Sequence, residues 1–414
     1  MLASFRLLGK EKSSNPEVYR LAKGFGISAV KWSLPELLPS LLAFSKLQPS
    51  FQNGSWLDPD RLVKFLYLQP SLSSNRLACE AQVSEEDSKK LLATILRTRV
   101  NFLQQLRGRI RAKPDIFAVA GIDDKVIEDL VHPAQLRVLE TAPAQRLEAM
   151  QFMGISGFSG FYYQGWSPFL VVRVPGPRVV RHRFYLNPSR SRFPEIVEEL
   201  INFCAKNPET FLKFIDYTLR PDGTLPFPNL DRVRGDKIVI YCDNPQRVLK
   251  FLKDIYDKYE DAFEGRSTVP FTAKIECYRP LGRKVVMEGI GYGEEPRDLR
   301  SCTYTVSFSQ KRAEFLTEVL LEIASKSAIS LGSRAGGHLL DDITVRGYSL
   351  SAVLEQLHNG AVEGKQRDYL LGEVFTALAT YNPELLIDLD PSELEQIARK
   401  HKINPANLSL NYPN

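Results

Sequence analysis

Cysteine, histidine, methionine and tryptophan are all scarce, numbering five, five, four and three in 414 residues. Cys79, Cys204, Cys242, Cys277 and Cys302 are odd in number, far apart and never in a CxxC arrangement. That argues against a disulfide framework or a zinc knuckle and fits reduced thiols. His132, His182, His338, His358 and His401 are scattered, with no HExxH and no carboxylate-rich neighbourhood, so neither a metal nor another cofactor is expected. No apolar run reaches the about 18 residues that would nominate a membrane helix. The opening Met1 to Lys10 carries Arg6 and Lys10 in too short an apolar stretch for a signal peptide, so the expectation is a cytoplasmic protein with no membrane partner. A surplus of charge is missing too: 54 Lys+Arg against 49 Asp+Glu gives +5, too small a total to imply a nucleic-acid partner.

Enzyme signatures are also absent. GIGYGEEP at 289 to 296 lacks the Lys-Ser/Thr ending of a phosphate loop and opens no helix in a βαβ unit, so it reads as a turn. GFSG at 157 to 160 is not GxSxG, and the kinase set of HRD, DFG and a VAIK lysine does not occur. What remains is a globular composition, 43% hydrophobic and 25% charged, in a chain long enough for roughly two to three domains.

Helical spacing dominates the first part of the chain. Residues 16 to 70 read as short helices broken by Pro35, Pro39, Pro49, Pro59 and Pro70. Residues 84 to 106 open with Ser84 and Asp87 in capping spacing and continue with Leu91, Leu92, Ile95, Leu96, Val100 and Leu103 on one face. The basic run Arg107, Arg109, Arg111 and Lys113 closes this helix and complements its dipole. From about residue 151 the texture becomes aromatic and β-branched. LVVRV and VVRHRFYLN read as strands, RFPEIVEELINFCAKNP as a helix, and FLKFIDYTL as a strand. A second cycle follows: KIVIYCD, a helix from Asn244 and Pro245 to Tyr259, then VPFTAKIECYR. KRAEFLTEVLLEIASKS reads as a helix, Asp390, Pro391 and Glu393 cap the last one, and NPANLSLNYPN reads as a frayed or surface-laid tail. The expected fold class is α+β: a helical region 1–150, a sheet domain 151–330, and a helical extension 331–414.

Cations concentrate in the sheet domain. Residues 173 to 192 hold six arginines, Arg173, Arg178, Arg181, Arg183, Arg190 and Arg192, and no acid. Strand alternation puts Arg183 and Tyr185 on one face and His182 on the other. Arginine suits a bidentate grip on phosphate, although a charged edge strand guarding against aggregation leaves the same pattern. Lys213 sits between Leu212 and Phe214, while Arg232, Arg234 and Tyr241 recur in DRVRGDKIVIYCD. Either Lys213 snorkels at an edge, or it is desolvated near arginines, where both effects lower its proton affinity and make it a base.

RFYLN at 183–187, FLKF at 211–214, DRVRGDKIVIY at 231–241, PFTAKI at 270–275, GIGYGEEP and SFSQKR at 307–312 come in an order that resembles the HopA-type effector family. That family includes lyases of class V lanthipeptide and thioviridamide-like biosynthesis, and the resemblance covers about residues 150 to 325. The sequence departs from the family's SFGxxR-like block at Ser309, where the pattern has glycine. The order of Arg183 and Tyr185, Lys213, Arg232 and Tyr241 also resembles phosphothreonine lyases. The resemblance implies elimination of phosphate from phosphoserine or phosphothreonine, giving dehydroalanine or dehydrobutyrine. The precursor peptide, with its leader and core, would be phosphorylated by a separate kinase, and the helical region 1–150 would hold the leader or that partner, or serve as a structural cap.

Elimination needs a base, charge support and an acid for the departing phosphate. Lys213 is the expected base, Tyr185 and Tyr241 the expected acid or orienting groups, and Arg183, Arg232, Arg234 and Arg312 the expected phosphate and substrate contacts. The alternatives are a noncatalytic effector or module that captures a phosphorylated partner in the arginine cleft, and a single-stranded nucleic-acid binder stacking bases on Tyr162, Tyr163, Trp166, Phe184 and Tyr185. The lyase reading is preferred, and it requires no nucleic acid.

Overall fold

The computed structural model describes residues 18–47, 56–72, 83–95, 97–98, 160–163, 169–173, 180–207, 209–217, 234–278, 284–296, 307–333, 342–345 and 347–411. Its centre is a sheet of nine strands: β1 (Val18–Ala22), β2 (Phe25–Ser28), β3 (Gly160–Tyr163), β4 (Phe169–Arg173), β5 (His182–Leu186), β6 (Phe211–Ile215), β7 (Ile238–Cys242), β8 (Ala273–Tyr278) and β9 (Lys284–Glu294). They lie in the order β1-β2-β8-β9-β5-β7-β6-β4-β3, and neighbours are antiparallel. The fold is α+β, as the sequence pattern leads one to expect.

Two local expectations are corrected. Residues 18 to 28 are not helical: Lys23 and Gly24 turn a β1–β2 hairpin, with Gly24 at φ +80, and β2 extends the sheet by pairing with β8. Valine, tyrosine, phenylalanine and isoleucine there favour a pleated surface, and glycine supplies the positive φ the turn demands. GIGYG is likewise strand rather than turn, the end of β9. Its glycines answer close approaches: a Cβ on Gly291 would meet Thr268 Oγ1 at 2.3 Å, and one on Gly293 the Phe308 ring at 2.6 Å.

Helices cover both faces. One face is packed by a helix over residues 85–95 (α3, following α1, Leu34–Lys46, and α2, Pro59–Leu72), by α4 (Phe193–Lys206) and by α5 (Pro245–Lys258). Asn244 caps α5 by accepting from the Gln246 amide, and Val248, Leu249, Leu252 and Ile255 bury its apolar stripe. Ser84 likewise caps α3 by accepting from the Asp87 amide at 3.0 Å. These helices meet Phe184, Leu186, Leu212, Phe214, Ile238 and Ile240. The opposite face, with Tyr185, Val239 and Tyr241, lies under α1, α2 and a long helix from Phe308 to Ser333. That long helix follows the short α6 (Glu260–Phe263) and is α7 here; α8 (Leu350–His358), α9 (Gly364–Tyr381) and α10 (Pro391–Lys400) are the later helices of the described residues. A capping box of Asp390 and Glu393 starts α10, matching the sequence signal.

The tail after α10 is neither frayed nor surface-laid through residue 411. Asn407, Leu408 and Ser409 are buried, and the Glu294 amide donates to Ser409 O at 2.9 Å. Arg312 holds this tail. Its guanidinium, 0% exposed, donates to Leu408 O at 3.0 Å, Asn411 Oδ1 at 2.9 Å and Leu410 O at 2.9 Å. Arg312, expected as a phosphate contact, thus holds the tail through three of its donors. Arg312→Ala should cost about 3 kcal/mol or more, since each buried acceptor left unpaired costs roughly 1–3 kcal/mol. Denaturant melts check this, with faster hydrogen exchange expected at the Asn411 amide, which donates to Glu294 Oε2.

Candidate active site

Sheet register assembles the cationic cluster. Arg183 on β5 lies opposite Tyr241 on β7 and Gly293 on β9, and Tyr185 lies opposite Val239 and Gly291. Tyr241 is opposite Phe211, and Lys213 opposite Val239 and Val171. Arg183, Tyr185, Tyr241 and Lys213 therefore share the face beneath α2 and the start of α7. His182 takes the other face, where its Nδ1 meets Tyr292 OH at 2.8 Å.

Arg183 is 5% exposed and pairs through Nε with Glu295, a carboxylate 2% exposed. Its Nη1 donates to Tyr185 OH at 2.9 Å, and that oxygen lies 3.3 Å from Ser309 Oγ. The guanidinium carbon sits 4.6 Å from the centroid of the Tyr241 ring, which stacks on Phe211 at 4.2 Å and 8°. Arg234 is fixed in turn by Asp236, with Nε–Oδ1 2.7 Å and Nη2–Oδ2 3.0 Å, and its guanidinium lies 3.9 Å from the Tyr67 centroid and 4.8 Å from that of Phe169.

Lys213 differs from both arginines. It is half-buried, with Nζ 4.7 Å from the Phe169 centroid and 5.8 Å from that of Tyr241, and among the described residues no carboxylate pairs with it. Burial, and then the nearby Arg183, lower its pKa from 10.5 to about 7. Tyr185 and Tyr241 move the other way, pushed up chiefly by burial, and so remain protonated phenols.

The structure thus brings together Arg183, Tyr185, Lys213, Arg234 and Tyr241, and sets Arg312 to hold the tail. Arg232 and the basic run from Arg107 to Lys113 lie outside the described residues. Sequence reasoning passed over Glu295, Asp236, Tyr67 and Phe169. The available signals were acids beside the motifs, in RGD at 234–236 and GEEP at 293–296; Tyr67 and Phe169 carried none. Among the described residues, no group of His, Cys, Asp and Glu is arranged to hold a metal ion, and no helix is long and apolar enough to cross a membrane.

No family model matches the chain, and no curated protein matches it. A solved structure of the effector protein from Pseudomonas syringae pv. tomato strain DC3000 is similar at 12% identity and TM-score 0.38, over 91% of this chain and 100% of that one.

A lysine whose pKa is lowered on folding is a liability to stability. Between about 7 and 10.5 the unfolded chain holds a proton on Lys213 that the folded chain does not, so this group makes stability rise with pH across that window. Below about 7 its cost is fully present, and above 10.5 it vanishes. Lys213→Met should therefore raise the melting temperature at pH 6.5, with the gain shrinking toward zero by about pH 10.5; thermal melts at the two pH values check it.

Proposed function

We propose that this protein eliminates phosphate from phosphoserine or phosphothreonine in a peptide. The observation that carries the reading is Lys213: a half-buried lysine lined by aromatic rings, with no carboxylate partner among the described residues and a pKa of about 7. A general base works best when its pKa lies near the operating pH, and such an amine can take the Cα proton.

In this reading neutral Lys213 removes the Cα proton, the Cα–H electron pair forms the Cα=Cβ double bond, and the Cβ–O bond breaks to release phosphate. Arg234 and Arg183 stabilise charge on the phosphate and the neighbouring carbonyl. Their carboxylate partners hold them oriented while leaving part of the five-donor fork of each guanidinium for substrate. A phenol of the cluster returns a proton to the leaving group. Lys213 ammonium then loses its proton to solvent, the phenolate regains one from solvent, and the cycle closes. The resemblance of the motifs to the HopA-type family supports a ribosomally made precursor as substrate, phosphorylated by a separate kinase, with a host-cell effector role as the other setting. The noncatalytic reading uses the same arginines only to capture a phosphorylated partner.

Intact mass spectrometry of phosphoserine and phosphothreonine peptides incubated with the protein should show loss of phosphoric acid, about 98 Da. Lys213→Ala should lower the rate by roughly 10²–10⁴-fold while phosphopeptide binding survives. Binding without elimination by the wild-type protein, even with a precursor and its kinase, would establish the noncatalytic reading instead. In the wild type, kcat/KM should rise with pH to a plateau, with its midpoint near 7, because the neutral amine is the active form.

A further inference from the structure

Tyr185, Tyr241 and Tyr67 crowd the same cations, and they are not equally placed to serve a substrate. Tyr185 is 0% exposed; its ring lies 5.9 Å from that of Phe308, and its oxygen accepts from Arg183 and faces Ser309. Tyr241 is also buried, its ring stacked on Phe211 and facing the Arg183 guanidinium. Tyr67 on α2 is half-buried, and its ring lies against the Arg234 guanidinium at 3.9 Å. An anion gripped by Arg234 would therefore lie beside the Tyr67 side chain.

The placement of Tyr67 is fixed from both ends. The Gly235 amide, next in sequence to Arg234, donates to Tyr67 O at 2.8 Å, and a Cβ on Gly235 would meet Pro70 Cγ at 2.5 Å, so the loop carrying Arg234 seats directly on α2. At its other end the Tyr67 side chain interacts with Ser309, whose Oγ lies 3.3 Å from Tyr185 OH. Arg183, Tyr185, Ser309 and Tyr67 thus form a contiguous polar series running from the buried Glu295 pair to Tyr67. Burial, then Asp236, push the Tyr67 pKa up, so the phenol holds its proton until a strong acceptor arrives.

We infer that Tyr67 is the catalytic acid that protonates the departing phosphate, with Ser309 and Tyr185 as the residues that position it. The assignment rests on the lyase reading above. In balance, Lys213 Nζ gains the Cα proton, the Cβ–O bond breaks with its electron pair on oxygen, and that oxygen takes the Tyr67 proton. The tyrosinate left behind is stabilised by the adjacent Arg234 and is reprotonated from water.

The test compares two leaving groups that differ in their need for a proton. Sulfate departs as a stable anion without protonation, whereas phosphate released from a dianionic ester requires it. Peptides carrying phosphoserine or O-sulfoserine are incubated with wild type, Tyr67→Phe and Ser309→Ala, and Cα deuterium uptake is followed in heavy water. Tyr67→Phe should lower kcat for the phosphopeptide by about a hundredfold or more. It should leave KM and the melting temperature nearly unchanged, stay within a few-fold of wild type on the sulfopeptide, and still exchange Cα hydrogen at the wild-type rate. Ser309→Ala should show the same phosphate-over-sulfate discrimination at smaller size. Phosphopeptide elimination unchanged in Tyr67→Phe, or both esters slowed equally, would overturn the assignment while leaving the lyase reading intact. A wild type that eliminates neither ester would overturn that reading and this assignment with it.

Discussion

The candidate site depends on one buried ion pair, Arg183 with Glu295, set into the middle of the sheet. Removing one partner of such a pair characteristically costs about 3–5 kcal/mol, because an uncompensated charge stays behind in low dielectric. Its consequences spread in both directions. Toward the site, the fixed guanidinium sets the Tyr185 hydroxyl and faces the Tyr241 ring. Away from it, Glu295 is held by backbone: its amide donates to Arg181 O at 3.0 Å, and its carbonyl accepts from Asn411 Nδ2 at 2.7 Å. Since Arg312 clamps the same tail, a second buried arginine anchors the carboxylate of the first. The tail is a supporting member of the site, although it lies far from it in sequence.

The sheet divides apolar from polar chemistry by simple alternation. On β5, Phe184 and Leu186 enter the core with α4 and α5, while Arg183 and Tyr185 enter the space under α2 and α7. Such a space would be costly if its polar atoms were unpaired. Here Glu295 and Asp236 answer the arginines, and aromatic faces answer the remaining positive charge. Glycine at 291 and 293 leaves room for Thr268, Thr272 and the Phe308 ring to close over the strand beside Arg183 and Tyr185.

Much of this was legible in the residues. Amphipathic helices with strong caps, such as Asn244–Pro245 and Asp390–Glu393, announce themselves because the cap chemistry is local. The shared face of Arg183 and Tyr185 follows from strand period alone. The β1–β2 hairpin was hidden because five- and four-residue strands among prolines and leucines leave little periodicity. GIGYG was misread because glycine signals a turn locally, whereas here it answers a ring and two hydroxyls that arrive from elsewhere in the chain. Tyr67 and the structural use of Arg312 could not be read at all, and Glu295 showed only as an acid beside a motif, since each is defined by a partner from a different element: Arg234, the tail, and Arg183. Long-range pairing has no period.

The distribution of carboxylates explains why Lys213 rather than an arginine is the group that can change its proton. An arginine stays charged at any working pH, so pairing it with Glu295 or Asp236 costs no reactivity and secures its orientation. Pairing Lys213 instead would have stabilised its ammonium form and silenced it as a base. With both acids committed to arginines, Lys213 is left facing ring surfaces, which attract a cation far less strongly than a carboxylate does at the same depth. The nearby Asp236 and Glu295 still act on it at a distance, opposing Arg183, Arg234 and burial, and the balance settles at about 7. A stronger cationic field would push the amine lower and weaken it as a base; a freed carboxylate would return it toward 10.5. The ion pairs that hold the cluster together are therefore also what sets the proton affinity of its reactive group.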